Sequence, residues 1–167
     1  MRPKVQPDRK TLEANRDEEF ILGSLFVIAN KLQMLLDREF RSCGLTVKQW
    51  FLSIVIGGVF AEPPTLSDAA AVMGSTHQNV KQVALKLKEK GFVEFIDDPN
   101  DKRALRLRLT EKSDELWAGM QERSQIFMEE LYNGFGSDGL EAYRDMTARL
   151  MENIDKMDAQ AGEEGNN

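Results

Sequence analysis

The stretch between Gly74 and Gly91 reads as one helix whose two ends are both marked in the sequence. Ser75 is predicted as the N-cap, because Gln78 follows three residues later and the two side chains can form a capping box. Gly91 fits the left-handed position just past the helix end, with Phe92 behind it. The apolar residues between these ends recur at helical spacing and predict one buried face: Val80, Val83, Ala84 and Leu87.

The opposite face of this helix is polar and basic. Short polar groups near its N-terminal end could reach base edges in a DNA major groove, and lysines on its flank could bind phosphates. An ordinary amphipathic surface helix would have the same pattern, so the flanking segments must decide. The residues on this face are Thr76, His77, Gln78, Lys81, Gln82 and Lys86.

Both flanking segments favour DNA recognition. A Thr46–Gln49 capping box predicts the start of a helix that runs to about Gly57-Gly58. A short helix over 66–73, opened by a Thr65–Asp68 capping box and ended by Gly74, predicts a helix-turn-helix. After Gly91, strands at 92–96 and 105–109 enclose a turn and predict a β-hairpin wing. In the second strand Leu105, Leu107 and Leu109 should face inward, while Arg106 and Arg108 should face solvent or phosphate.

Three long helices, at 18–42, 111–133 and 137–156, carry apolar residues at threes and fours. The apolar set of the first is too wide for a small domain to cover, which predicts burial against a partner chain. The net charge of −6 argues against a generally basic surface, yet residues 75–90 hold four lysines against one glutamate. The N-terminus lacks an apolar signal-peptide core and no apolar run is long enough for a bilayer, so we expect a cytoplasmic protein.

The joint order of these segments resembles the MarR family of transcriptional regulators over about residues 18–155. The resemblance rests on three motifs: Leu45-Thr46-x-x-Gln49-Trp50, Thr65-Leu66-Ser67-Asp68-Ala69-Ala70, and Asp101-Lys102-Arg103 followed by Leu109-Thr110. It implies a mainly α fold with a small β-hairpin wing, in which a winged helix-turn-helix lobe joins a long-helix dimerisation region. It also implies a homodimer that binds a pseudo-palindrome in double-stranded DNA.

The expected organisation follows from this resemblance. Residues 1–17 would form a flexible arm, 18–45 and 111–157 the dimerisation region, 46–110 the DNA-binding lobe and 158–167 a disordered acidic tail. Helix 75–90 would enter the major groove and Arg103 the minor groove, where Asp101 would orient it. The resemblance implies DNA contacts from Ser75, Thr76, His77, Gln78, Asn79, Lys81, Gln82, Lys86, Asp101, Lys102 and Arg103.

Within this set, Gln78 or Asn79 could pair with adenine. His77 could make DNA affinity depend on pH, or could remain neutral at the groove edge. Some MarR relatives bind small aromatic or anionic effectors. The candidate pocket residues here are Met34, Phe40, Trp50, Phe51, Ile54 and Trp117, which could equally be plain core.

The single cysteine, Cys43, allows no intramolecular disulfide and is expected to be structural. One His and one Cys far apart predict no metal site, and we expect no cofactor. The predicted function is a sequence-specific DNA-binding repressor that an effector could release. The alternative is a winged-helix adaptor that binds protein and not DNA. An enzyme is the weakest interpretation, since no nucleophile–His–acid set or Gly-rich phosphate loop is evident.

Overall fold

The computed structural model describes residues 17–99, 101 and 104–164. The chain divides into two compact units, one ending at Leu116 and the other beginning at Trp117. Its elements in chain order are α1 (Asp17–Phe40), a 3-10 turn (Arg41–Cys43), α2 (Val47–Gly58), α3 (Leu66–Val72), α4 (His77–Glu89), β1 (Val93–Asp97), β2 (Leu105–Leu109), α5 (Glu111–Leu131) and α6 (Ser137–Glu164). The predicted fold class, mainly α with a β-hairpin wing, is confirmed.

Two of the three predicted capping boxes are present. Thr46 Oγ1 accepts the Gln49 N–H at 3.3 Å, and Gln49 Oε1 accepts the Thr46 N–H at 3.2 Å. Thr65 and Asp68 make the same reciprocal pair at the start of α3. These caps satisfy backbone donors that a helix start would otherwise leave free, so α2 and α3 begin where local sequence places them.

The core of the first unit lies where α2, α4 and β2 meet. Its fully buried side chains come from all three elements and include Leu52, Val55, Val80, Leu87 and Leu107. Helix α2 approaches the sheet closely at Gly57, where an added Cβ would lie 2.8 Å from Leu109 Cδ1. A larger residue at this position would therefore require the Leu109 side chain to shift.

The wing is an antiparallel pair in which Val93 faces Leu109 and Asp97 faces Leu105. A single bridge between Thr65 and Arg106 adds a third, minimal strand, and the Leu107 N–H donates to the Pro64 carbonyl at 2.8 Å. The hairpin is thus hydrogen-bonded to the segment that opens α3.

The alternation of β2 predicts its burial only in part. Leu107 is fully buried and Leu109 is half-buried, but Leu105 is 44% exposed, so the prediction that Leu105 faces the core is wrong. Leu105 pairs with Asp97 at the end of the hairpin and lines an open groove beside α3 and α4. Arg106, predicted to face solvent, is half-buried.

The chain remains helical further than predicted at its C-terminal side. Helix α6 continues to Glu164, whereas residues from 158 onward were predicted to be disordered. The extra segment contains no proline, and Ala, Gln and Glu favour helix. Of the predicted N-terminal arm, Asp17 is the first residue of α1 and residues 1–16 lie outside the described residues, as do 165–167.

Helix α1 exposes apolar side chains on more than one face. Those at least 38% exposed are Phe20, Ile21, Leu22, Phe26, Val27, Ile28, Met34 and Leu35. In the described part of the chain, the helical segment Asp17–Cys43 is long and apolar enough, by length and composition, to cross a membrane. Counting uninterrupted apolar runs misses this helix, because Ser24, Asn30 and Lys31 interrupt its apolar residues.

Candidate nucleic-acid interface

Helix α4 begins one residue later than its sequence predicts. Its N-cap is Thr76, whose Oγ1 accepts the Asn79 N–H at 3.2 Å. The Ser75 N–H donates to the Ala70 carbonyl at 3.0 Å, one of the two hydrogen bonds that close α3 around left-handed Gly74. Ser75 therefore completes the end of α3, and the predictions that it caps α4 and forms a capping box with Gln78 are wrong.

The shifted start changes what the first turn of α4 can do. Thr76 Oγ1 is used in the cap, while the Gln78 amide is exposed and takes no part in it. At the other end, the Phe92 N–H donates to the Leu87 carbonyl and the Gly91 N–H donates to the Lys88 carbonyl. These two hydrogen bonds form a Schellman motif, in which Gly91 has the left-handed position predicted for it. Gly91 has a φ of 77°.

One face of α4 is buried and the opposite face is open. Val80, Ala84 and Leu87 are buried, while Val83 is half-buried at the edge of this face. At about 100° per residue, Gln78, Gln82 and Glu89 fall on the side opposite the buried residues. All three are exposed. We call these three residues the outward row of α4.

The four lysines of this segment have different surroundings. Lys81 and Lys86 are exposed on the two flanks of the outward row. Lys88 Nζ lies 5.1 Å from the centre of the Phe95 ring, a cation–π contact with the wing. Lys90 Nζ donates to the Gly44 carbonyl and, at 3.0 Å, to Gln49 Oε1. The positive charge best placed for a phosphate backbone is therefore that of Lys81 and Lys86.

A groove runs along each flank of α4. The wing-side groove has a volume of about 430 Å³, and its lining includes His77, Lys81, Lys88, Phe95 and Leu105. The second groove, about 330 Å³, is lined by Val83 and Lys86 of α4, by Gln33 and Asp37 of α1, and by residues 46–49 at the start of α2. The structure thus places His77 in the groove beside the wing.

The buried carboxylate of Asp98 holds the start of the wing turn, although the sequence predicts Asp98 only as a turn residue. Asp98 Oδ1 accepts the Asp101 N–H at 3.1 Å, and Asp98 Oδ2 accepts Arg106 Nε at 2.6 Å. The same guanidinium donates through Nη1 to the Pro63 carbonyl at 2.7 Å. The Asp-Pro pair signals the turn, but no local pattern places Arg106 against it.

The predicted DNA-contacting set is brought together only in part. Within α4 and its cap, Thr76, His77, Gln78, Asn79, Lys81, Gln82 and Lys86 are all exposed, whereas Ser75 is half-buried. Asp101 is exposed, and its carbonyl accepts the Ala104 N–H at 2.9 Å. Lys102 and Arg103 lie outside the described residues, so their role and the pairing of Asp101 with Arg103 stay predictions.

The predicted effector residues do not line either of the two grooves. Phe40 is buried and stacks on Trp50 with ring centroids 5.2 Å apart, as core residues do. Met34, Phe51 and Ile54 are exposed on α1 and α2, and Trp117 belongs to the second compact unit. The effector pocket stays a prediction.

Cys43 is half-buried at the end of the 3-10 turn, with its Sγ 3.7 Å from Ser42 Oγ. Among the described residues, no group of three His, Cys, Asp or Glu side chains could hold a metal ion.

No family model matches the chain. Over 92 residues it is 25% identical to the transcriptional repressor MprA of Escherichia coli strain K12, a match that covers 55% of this chain and 52% of MprA. The chain thus spans about half the length of the curated relatives it matches.

Solved structures resemble the chain over most of its length. A MarR/EmrR family transcriptional regulator from Acinetobacter sp. ADP1 superposes with a TM-score of 0.74 at 19% identity, covering 85% of this chain and 99% of that one. FabT of Streptococcus pneumoniae, in complex with DNA, gives 0.63 at 16% identity, covering 84% and 99%. The predicted resemblance is therefore confirmed at the level of the fold: the chain has the winged helix-turn-helix fold of the MarR-family transcriptional regulators.

Proposed function

We propose that this chain is a dimeric, sequence-specific DNA-binding transcriptional regulator that acts as a repressor in the cytoplasm. The proposal rests on the outward row of α4. There the exposed amide side chains of Gln78 and Gln82 lie between the exposed Lys81 and Lys86. That arrangement combines base readout with phosphate binding. The fold, the DNA-bound FabT structure and the likeness to a named repressor support it.

In this proposal α4 lies in the major groove. Gln78 and Gln82 are one helical turn apart, about 6 Å along the axis, and can each pair with an adenine on neighbouring base pairs. Thr76 and Asn79 lie beside them at the positively polarised N-terminal end of the helix, which attracts phosphate. Lys81 and Lys86 bind the phosphates on either side. Arg103 of the wing, with Lys102 and Asp101, enters the minor groove as the family resemblance implies.

Apolar side chains that neither unit covers by itself support the proposed dimer. The first unit exposes the apolar faces of α1 described above. In the second unit, α6 exposes Leu140, Tyr143, Met146, Leu150, Ile154 and Met157 at spacings of three and four. Such stripes are rare on monomers and typical of helix–helix interfaces. A twofold dimer would place its two α4 helices about 34–36 Å apart, one turn of DNA.

An effector that releases the DNA is part of the proposal. Its pocket would use the exposed Met34, Phe51 and Ile54 together with the stacked Phe40 and Trp50. Thermal-shift screening with small aromatic acids tests this part independently. A compound that raises the melting temperature and weakens DNA binding is the expected result.

The central test is selection of duplexes from a random-sequence library by the full chain at low salt, followed by gel shifts. We expect a pseudo-palindromic site, and Gln78→Ala should relax its sequence preference at one symmetric pair of positions. Gln121→Ala, an exposed glutamine on α5, is the matched control and should leave binding unchanged. Failure to enrich any duplex would reject the proposal and favour the protein-binding adaptor.

A further inference from the structure

Lys90 belongs by sequence to the lysine cluster of α4, yet its ammonium group does not point along the DNA-facing side. Lys90 is the C-cap of α4 and is half-buried. Its Nζ donates to the Gly44 carbonyl and to Gln49 Oε1 at 3.0 Å. Both acceptors belong to the corner between α1 and α2, more than forty residues earlier in the chain.

Each acceptor is itself fixed in that corner. Gly44 is the left-handed residue that closes the 3-10 turn after α1, with a φ of 66°. Gln49 is 3% exposed and forms the capping box of α2, so its Oε1 accepts from both the Thr46 N–H and the Lys90 ammonium. One charged group therefore joins the end of α4 to the end of α1 and the start of α2.

A second contact makes the same residue a junction with α5. The Lys90 carbonyl accepts Lys112 Nζ at 2.7 Å, and that ammonium also lies 4.9 Å from the Phe92 ring centre. Four helix ends thus meet around one residue. Hydrogen bonds from an ammonium are stronger and more directional than hydrophobic contacts, so they restrict how α4 can tilt.

We propose that Lys90 is a positioning residue for the DNA-reading surface, which holds the C-terminal end of α4 against the α1–α2 corner and does not bind phosphate. This inference rests on the proposed DNA-binding function. Helix α4 has 13 residues and is about 20 Å long, so a tilt of about 5° at Lys90 moves its N-terminal end by about 2 Å. Base readout tolerates only about 0.5 Å, whereas phosphate attraction tolerates much more.

The test compares Lys90→Met with Lys86→Met, an exposed lysine of the same helix that we place on a phosphate. Affinities are measured over a salt series for a duplex enriched by the wild-type chain and for a scrambled duplex of the same length. Lys86→Met should weaken both and lower the salt slope by about 0.9 per helix bound. Lys90→Met should keep the wild-type slope but lower the ratio of specific to scrambled affinity about tenfold. Lys90→Arg, which keeps charged donors, should recover most of that ratio.

An amide-exchange measurement without DNA tests this inference separately from the proposed function. Amide exchange at Thr46 and Leu45 should be faster in Lys90→Met than in wild type and unchanged in Lys86→Met, because Lys90 is the one of these two lysines that donates hydrogen bonds to the corner. If Lys90→Met does not fold, Lys90→Gln, which retains a neutral donor, replaces it in both arms.

The outcomes are distinct. A wild-type chain that enriches no duplex rejects the proposed function and with it the positioning role in DNA reading, while the exchange arm still decides whether the corner contact exists. A salt slope that falls in Lys90→Met as in Lys86→Met would assign Lys90 to phosphate and overturn the inference. A wild-type ratio of specific to scrambled affinity in Lys90→Met would also overturn the inference.

Discussion

Breaking the Asp98–Arg106 pair should destabilise the protein, and a second arginine on the same strand, Arg108, provides a matched control. Substituting Arg106 by Met removes the 2.6 Å bond to Asp98 and the 2.7 Å bond to the Pro63 carbonyl. The Asp98 side chain is only 6% exposed, and its carboxylate would keep the Asp101 N–H but lose the Arg106 guanidinium. Breaking a buried pair in this way typically costs 3–5 kcal/mol. Because Arg106 itself is 24% exposed, solvent replaces part of the loss, and we expect about 2–3 kcal/mol.

The control is Arg108→Met, two residues along the same strand. Arg108 makes a similarly short bond to Glu94, 2.7 Å, but the two side chains are 55% and 45% exposed. Exposed pairs contribute about 0–1 kcal/mol, so this substitution should change the free energy of unfolding by less than about 1 kcal/mol. The two bonds have nearly equal lengths, so the difference between the variants reports the burial of the Asp98–Arg106 pair together with the bond to the Pro63 carbonyl.

Urea unfolding followed by circular dichroism measures both variants, at one protein concentration because a dimer's stability depends on it. Asp98→Asn, alone and combined with Arg106→Met, completes a double-mutant cycle, and we expect a coupling of about 1.5–3 kcal/mol. If Arg108→Met destabilises the protein as much as Arg106→Met, or if the coupling is near zero, the argument from burial is refuted.

Three further predictions follow from the caps and the exposed faces. Thr76→Ala should destabilise the protein by about 1 kcal/mol in urea unfolding, whereas Ser75→Ala should cost less than about half of that, because only Thr76 caps α4. The Thr65 backbone N–H and then its hydroxyl lower the pKa of Asp68 below its usual 3.8, so Asp68 contributes stability above that pH and loses it as pH falls through the lowered pKa. Asp68→Asn should therefore lower the urea midpoint at pH 6 but converge with wild type in strong acid. Met146→Asp should shift the chain from dimer to monomer in light scattering, since Met146 is 70% exposed on the α6 stripe.

Local chemistry predicted the start of α2 and α3 but not the start of α4. At Thr46 and Thr65 the backbone N–H of the capping residue is bonded within its own capping box, so the capping residue is read directly from sequence. At Ser75 the preceding helix uses the N–H first, through the hydrogen bond to Ala70. Two adjacent hydroxyl residues, Ser75 and Thr76, are both of a type that caps helices. The end of the previous helix selects between them.

Charge clusters and strand alternation predicted the surroundings of side chains less well than capping residues predicted helix starts. Four lysines between residues 75 and 90 look alike in sequence, yet Lys88 lies over an aromatic ring and Lys90 binds the α1–α2 corner. Arg106 and Arg108 look alike in β2, yet only Arg106 reaches a buried carboxylate. Their partners are distant in sequence or across the hairpin, and no local pattern encodes such distances.

Sequence alone determined the order of the helices and the hairpin and the apolar face of α4, because helix periodicity, strand alternation and glycine conformation act within a few residues. Tertiary structure alone decided which residue begins α4, which of its lysines remain available, and that Asp98 and Arg106 hold the wing. These features depend on which backbone and side-chain groups compete for the same hydrogen bonds once distant segments are packed together. Helix α4 thus has the apolar face that its sequence predicts. Packing determines its first residue and which of its lysines remain available to bind a ligand.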